Sequence, residues 1–308
     1  MISLRETAFG KLNLTLDILG KRPDGYHELE MVMCSVSLSD GLSVTLGTGK
    51  PWAVSCDRPG IPAGPDNLCW KAAAAYCEAA GVDLEGLSIQ IEKKIPAQAG
   101  MAGGSSDAAA VLRALNRHYG RFSEEGLRAL GLKVGSDVPY CLFGGAALAK
   151  GRGEDLTRLP ALPGELWFVL AKPEFSVSTP ALFREIDACR DGTPPSAELE
   201  KAAPVSADKQ GLSLQPGPHA AAMISAIERQ DRNAIGRNLQ NDFEPLVAAR
   251  FPIVERLRRV MLAHEAVGAR LTGTGSVVFG LFCSKFKAVA AALELRELCP
   301  EVHIVTAL

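Results

Sequence analysis

Residues 96–110 read PAQAGMAGGSSDAAA and run straight into AAAVLRALNRH, so a stretch of small residues opens onto an Ala-rich helical pattern. Gly100, Gly103 and Gly104 remove side chains where backbone must come close to a bulky group, and glycine tolerates the positive φ that turns successive N–H groups toward one anion. Ser105, Ser106 and Asp107 are residues of helix N-termini, so the unpaired amides and positive dipole end of the following helix should face the same point. The string predicts a phosphate cradle. A plain Gly/Ser connection is the competing reading, and it is weakened because no Pro, Asn or long polar side chain interrupts residues 100–107.

Two better-known nucleotide motifs are excluded by inspection. A P-loop ends its glycine run with Lys followed by Ser or Thr, which neither Gly20-Lys21-Arg22 nor Gly49-Lys50-Pro51 supplies. A dinucleotide fingerprint needs a third small residue after GxGxx, and the run from Gly273 through Gly275 meets Val278 instead.

Other segments carry a family resemblance. AFGKLNLTLDILGKRPDGYH (residues 8–27), GSDVPYCLFGGAALAKGRGE (135–154), QNDFEP (240–245) and LTGTGSVVFGLF (271–282) lie in order across nearly the whole chain. Together with the glycine run they resemble the GHMP kinases, the family of galactokinase, homoserine kinase, mevalonate kinase and phosphomevalonate kinase. The run GKRPDGYHELE is similar to the members whose acceptor is a cytidylyl diphosphate sugar alcohol of isoprenoid precursor synthesis. The resemblance implies an α+β, two-domain GHMP kinase fold with the active site in the cleft between domains. It implies transfer of the γ-phosphate of ATP, with Mg2+, to the 2-hydroxyl of that acceptor. Its metal ligands are not indicated. The alternatives are another small-alcohol kinase of the family and a catalytically silent nucleotide-binding regulator. GKRPDGYH argues against the first, and the presence of Lys11 and Asp137 against the second.

Phosphoryl transfer needs a phosphate cradle, cationic help and a group that orients or accepts the nucleophile's proton. The resemblance makes Asp137 of GSDVP the general base and puts Lys11 beside it, to orient the hydroxyl and pair with the carboxylate. Asn13 follows Lys11 on the same strand face and is expected to reach the acceptor. The resemblance adds Tyr26, stacking on the cytosine, and His27, bonding the base edge from a turn where an imidazole is expected to be exposed. Phe183 would cover the opposite face of the base, with Thr179 nearby. For ATP it implies Asn67 and Lys93 near adenine and ribose, Pro96, Gly100, Ala102, Gly103 and Gly104 in the loop, and Ser105 and Ser106 at the phosphates. Phe9-Gly10 and Met101-Ala102 depart from the family's usual residues. Alanine at 102 opposes a left-handed turn there.

Along the chain, residues 12–18 alternate as a half-buried strand, and residues 31–36 and 42–46 form a strand pair turned at Ser39, Asp40 and Gly41. Residues 67–80 read as a helix stopped by Gly81, residues 87–91 as a strand, and Ser123 as the cap of another helix. A domain boundary is expected near residue 156, giving an ATP-binding unit 1–156 and a second unit 157–308. In the second, residues 166–171 are a strand and residues 191–218 a Pro-rich loop or insertion. Helices are expected over 220–229, 232–239, 253–264 and 285–298, with strand, turn and strand over 269–281 and a last strand at 302–305. This order lacks regular βαβ alternation and reads as α+β.

A length of 308 residues with 47% hydrophobic content suits one large or two moderate cores, and a net charge of −2 gives no general attraction to nucleic acid or anionic membrane. The eight cysteines contain no CxxC pair and are expected to be reduced, mostly buried residues rather than a zinc site. No secretory or transit pattern is visible, and no apolar run approaches the roughly 18 residues that span a bilayer. A cytoplasmic monomer or homodimer with small-molecule partners is expected.

Overall fold

The computed structural model describes residues 1–190 and 219–308, so the Pro-rich stretch 191–218 lies outside the described residues. The chain opens with a hairpin of two 20-residue strands, β1 (Ile2–Lys21) and β2 (His27–Leu46). Its turn is the RPDGY run, where Gly25 adopts φ +84° and Asp24 accepts the Tyr26 N–H. The far edge of β2 is shared by β4 (Leu87–Glu92) and β5 (Ala147–Gly151). Beyond them lie β3 (Ala53–Cys56), parallel to β4, and β6 (Asp155–Arg158), antiparallel to β5. A second sheet, wholly antiparallel, has the order β10 (Glu301–Thr306), β7 (Trp167–Lys172), β9 (Val278–Phe282), β8 (Gly268–Leu271). Sheets that are antiparallel apart from the β3–β4 pair, with helices outside any regular βαβ alternation, give the α+β class that the sequence implies.

Three helices cover the first sheet: α1 (Leu68–Ala80), α2 (Gly103–Tyr119) and α3 (Glu124–Val134). Each follows its local signals. Asn67 caps α1 by accepting the Cys69 N–H at 2.8 Å, Gly81 ends it at φ +62°, and Ser123 caps α3 through the Gly126 N–H at 3.2 Å. The Ala-rich faces of α1 and α2 bury Ala72, Ala73, Ala108 and Leu112 against Val44, Leu46 and Ile89. Two further cores join the sheets, one through Leu12, Val32, Phe168 and Phe279, the other through Ile18, Met33, Val169 and Phe282.

Several expectations are corrected. Ser39, Asp40 and Gly41 are not a turn but the middle of β2. The fully buried Asp40 carboxylate accepts the Lys94 N–H at 2.6 Å and the Ile95 N–H at 2.8 Å, a tertiary use that local turn chemistry cannot reveal. The strand at 12–18 is buried on both faces. Its polar alternates meet protein: Thr15 Oγ1 accepts the Val32 N–H, Asp17 bonds His219 Nδ1 at 2.7 Å, and residues 240–242 run alongside, exchanging backbone bonds with Leu14 and Leu16. Two short helices went unread, α4 (Val138–Phe143) and α8 (Glu244–Arg250). Each has Pro in its first turn and is too short to show a period.

The remaining helices are α5 (Thr179–Arg190), α6 (His219–Glu228), α7 (Arg232–Arg237), α9 (Ile253–Ala263) and α10 (Lys285–Leu295). Of the eight cysteines only Cys34, Cys69 and Cys299 are buried, fewer than expected. No helix among the described residues is long and apolar enough to cross a membrane.

Candidate active site

A cavity of about 900 Å3 opens beside the hairpin, lined from one end to the other by the glycine loop, the face of β1 that carries Lys11, the start of α4, the RPDGY turn and the start of α5. Fifteen of the site residues expected from sequence line it: Lys11, Asn13, Tyr26, His27, Asn67, Lys93, Pro96, Gly100, Ala102, Gly103, Gly104, Ser105, Asp137, Thr179 and Phe183. Ser106 does not.

The loop is clamped from two sides. The Lys11 N–H donates to Met101 O at 3.2 Å, and the Val277 N–H to Ala99 O at 3.3 Å. Gly100 adopts φ +74°, and a Cβ there would stand 2.1 Å from Thr272 O, so glycine is required by the 272–275 loop as much as by any ligand. Ala102 takes the left-handed conformation expected to be opposed, with φ +56°, and forms the N-cap of α2 without a side-chain cap. The cost of αL for alanine, on the order of 1–2 kcal/mol, is outweighed by the bonds that fix its neighbours. With the first helical bond running from the Ser106 N–H to Ala102 O, the amides of Gly103, Gly104 and Ser105 precede it and have no cap residue to take them.

Gly103 and Gly104 are helical rather than loop residues. A Cβ at Gly103 would meet Ile95 at 3.0 Å and Lys93 Nζ at 3.1 Å, so its small size serves packing between α2 and the segment that follows β4. The expectation for Ser106 is corrected: its hydroxyl is buried and donates to Phe9 O at 2.6 Å, tying α2 to β1 instead of reaching the cavity.

Lys93 is almost wholly buried, and its ammonium bonds Asp40 Oδ2 and Asp107 Oδ2, both at 2.5 Å. It braces the first turn of α2 to β2. Two carboxylates share one cation, and burial foremost, with the Asp40 charge adding to it against the pull of Lys93, pushes the Asp107 carboxyl up to about 7. Asp107 Oδ1 is buried with no hydrogen-bond partner among the described residues. Asn67 is likewise engaged by its own fold: beyond the cap bond, its amide donates to Pro62 O at 2.7 Å.

Asp137 occupies the N-cap position of α4 yet makes no cap hydrogen bond, so its carboxylate is left to the cavity. Lys11 Nζ donates to Asn13 Oδ1 at 2.6 Å, which puts both on one face of β1 as expected. The expected direct pair is absent: among the described residues no ion pair joins Lys11 to Asp137.

At the hairpin end the side chains are arranged differently from expectation. His27 is not an exposed turn residue but the buried first residue of β2. Its Nε2 lies 2.6 Å from Asp187 Oδ1, and its ring stacks on Phe183 at 4.5 Å and 20°. Phe183 thus faces the imidazole and, edge-on at 5.0 Å, Phe243. Tyr26 is half exposed, and one face of its ring carries the Arg152 guanidinium at 3.6 Å. Thr179 Oγ1 meets Thr274 Oγ1 at 2.9 Å across the cavity mouth.

Arg152, Asp187 and Thr274 went unassigned in sequence, and Asp107, read there as a residue of the helix start, was given no bond to Lys93. GRGE and LTGTGS held two of them in recognised segments, and Asp187 lies one helical turn after Phe183, a spacing that could have flagged it.

The GHMP kinases N terminal domain model matches residues 67–145, and the GHMP kinases C terminal model matches residues 223–301. The 4-diphosphocytidyl-2-C-methyl-D-erythritol kinase of Citrifermentans bemidjiense is 39% identical over 300 residues, covering 96% of each chain. That of Caldicellulosiruptor saccharolyticus is 37% identical over 300 residues, 97% of this chain and 95% of the relative. Among solved structures, a crystal structure of 4-(cytidine 5'-diphospho)-2C-methyl-D-erythritol kinase superposes with a TM-score of 0.71 at 32% identity, covering 99% of both chains. An L. major mevalonate kinase complexed with R-mevalonate superposes with a TM-score of 0.74 at 18% identity, covering 99% of this chain and 95% of that one, a likeness of fold alone.

Proposed function

The chain belongs to the 4-diphosphocytidyl-2-C-methyl-D-erythritol kinases within the GHMP kinases, and we propose that it transfers the γ-phosphate of ATP to the 2-hydroxyl of 4-diphosphocytidyl-2-C-methyl-D-erythritol. The observation that carries this reading is that Asp137 stands at an N-cap without spending its carboxylate. It faces the same cavity as the uncapped start of α2 at one end and His27 and Tyr26 at the other.

ATP binds with its phosphates at the first turn of α2, where the amides of Gly103, Gly104 and Ser105 and the positive end of the helix dipole stabilise negative charge. Pro96, Gly100 and Ala102 shape the loop around it. Asn67 and Lys93 form the wall toward adenine and ribose through the segments they brace. The acceptor enters from the hairpin, its base against Tyr26, His27 and Phe183 and its diphosphate within reach of Arg152, whose buried Nε has no partner among the described residues. Thr179 and Asn13 contribute polar contacts. Asp137 takes the proton of the attacking hydroxyl as the phosphoryl group moves, and Lys11, held by Asn13, orients that hydroxyl.

The residues fit the magnesium ion that this chemistry uses. Asp107 keeps a carboxylate oxygen without a partner among the described residues and lines the cavity, as Ser105 does, and the two would hold the ion, which when bound offsets charge on the phosphates. The same reading makes residues 1–156 the nucleotide-side unit and 157–308 the unit that completes the acceptor side. It makes the protein a cytoplasmic enzyme of small-molecule substrates, without a nucleic-acid or membrane partner.

The test measures ATP consumption with the cytidylyl acceptor against mevalonate, homoserine and galactose. Turnover is expected with the first alone, and an equal or better rate with another alcohol would replace the acceptor. Asp137→Asn is expected to lower kcat by about a thousandfold with ATP binding retained. A variant within threefold of the parent would remove Asp137 from the proton-accepting role.

A further inference from the structure

Helix α10 is apolar on both sides. Its inner face buries Ala288, Ala291, Ala292 and Leu295 in the core that holds Val169 and Phe282, the ordinary use of an amphipathic helix. At about 3.6 residues per turn, the opposite face carries Phe286, Val289, Ala290 and Leu293. Phe286 is 83% exposed, Leu293 57% and Val289 38%, and Leu262 near the end of α9 is exposed as well. Single apolar residues at a surface need no explanation, but three on one face of one helix form a patch. Among the described residues nothing shields it, and no residue of α10 lines the cavity.

The charges beside the patch have a direction. Lys287 stands in the first turn of α10 and Glu294 in the last, about two turns apart and therefore on one flank of the helix. Each meets the segment that follows α9: Lys287 Nζ lies 2.6 Å from Glu265 Oε2, and Glu294 Oε2 lies 2.8 Å from His264 Nε2. A parallel copy of α10 would set Lys287 against Lys287, whereas an antiparallel copy sets Lys287 against Glu294 at both ends. Lys285, the other cation of the first turn, has its ammonium over the Trp167 ring at 5.0 Å, away from this flank.

We propose that the outer face of α10 is an interface between two copies of this chain, packed antiparallel about a two-fold axis beside Ala290. The small side chain at the axis lets the helices approach. Phe286 packs against the partner's Leu293, and the rotation repeats the contact in reverse. A two-fold axis of this kind keeps each flank on its own side, so Lys287 meets the partner's Glu294 twice. An aromatic anchor with charge pairs at its edge is the composition that protein interfaces favour. Both cavities stay open in such a pair, because α10 forms no part of their walls. The face of one helix is small for an interface, so the pair is expected to be weak, with Kd of about 1–100 μM.

Sedimentation velocity of the full chain over about 1–300 μM tests the proposal. The parent is expected to move from the mass of one chain toward twice that mass. Phe286→Glu is expected to weaken association by roughly tenfold or more, with kcat/KM per chain and melting temperature close to the parent's, which separates a lost contact from a misfolded chain. A parent that keeps the mass of one chain throughout overturns the proposal, as does a Phe286→Glu variant that associates like the parent.

A mixing experiment tests the direction of packing. Lys287→Glu and Glu294→Lys each place like charges together at both ends of the pair, so each variant alone is expected to associate more weakly than the parent. In a pair made of one copy of each, both contacts are again between opposite charges. The equimolar mixture is therefore expected to associate roughly tenfold more tightly than either component. Mixing cannot repair the pairs with Glu265 and His264 inside each chain, so the recovery reports the contact between copies alone. A mixture no tighter than its components overturns the antiparallel pair.

Discussion

From Ala99 to Ser105 the cavity wall is made of backbone: a left-handed Gly100 wedged against Thr272, an uncapped Ala102, and the leading amides of α2. At the hairpin end it is made of side chains, with His27 held by Phe183 and Asp187, and Tyr26 covered by Arg152. The first region draws its ligand-facing groups from seven consecutive residues. The second draws them from β2, the segment after β5, and α5, which are far apart in sequence. A backbone site is therefore announced by small residues in a row, whereas a side-chain site depends on partners whose identity the local sequence does not reveal. Phosphate suits the first because every amide is alike, and a base suits the second because its edge must be told from another base's edge.

The contrast can be broken most sharply at Gly100. If the loop is clamped by the 272–275 segment, Gly100→Ala is expected to destabilise the protein by about 3 kcal/mol or more, since it combines an unfavourable φ with a 2.1 Å approach to Thr272 O. Gly104→Ala, whose nearest contact would be Leu68 Cδ1 at 3.5 Å, is the control and is expected to melt near the parent. Equal denaturant midpoints for the two variants would mean that the cradle is not held from the second sheet's side.

On the acceptor side, Tyr26→Ala is expected to weaken binding of the cytidylyl substrate by about 1–3 kcal/mol, read by titration calorimetry, with ATP affinity unchanged. Tyr26→Phe keeps the ring under the Arg152 guanidinium and is expected to cost little. If phenylalanine were as damaging as alanine, the hydroxyl and not the ring face would be the working part.

The smallest expected effect concerns the carboxylate pair behind the cradle. Asp107 holds its proton up to about 7 in the folded chain and releases it near 3.8 when unfolded. Between those values the native state binds more protons, so this group's contribution to stability falls as pH rises and levels off above about 7. Asp107→Asn does not titrate, so its melting temperature relative to the parent is expected to climb between about pH 4 and about pH 7 and then level off. A flat difference across that range would mean that Asp107 is charged throughout it.

Local signals carried much of the fold. Ser123 was legible as a cap, Gly81 as a stop, and the Ala-rich pattern after Gly104 as a helix, because each effect acts within a turn or two of chain. The same reasoning misread Ser39, Asp40 and Gly41, whose turn chemistry is overridden once Asp40 accepts two backbone amides and the Lys93 ammonium. It also misplaced Ser106, a hydroxyl that looked available to phosphate and is committed to Phe9 O.

By itself the sequence determined the class of chemistry: a phosphate-binding helix start, a carboxylate in the GSDVP run, and an ordered set of segments found together in one family of kinases. Only the tertiary structure decided which of those groups are free to act. Asp137 is unspent at its N-cap and faces the cavity, while Lys93 and Asn67, equally polar on paper, are bound within the protein. The reason is that a side chain's chemistry is fixed by its residue type, but its availability is fixed by whichever distant donor or acceptor folding brings within hydrogen-bond reach.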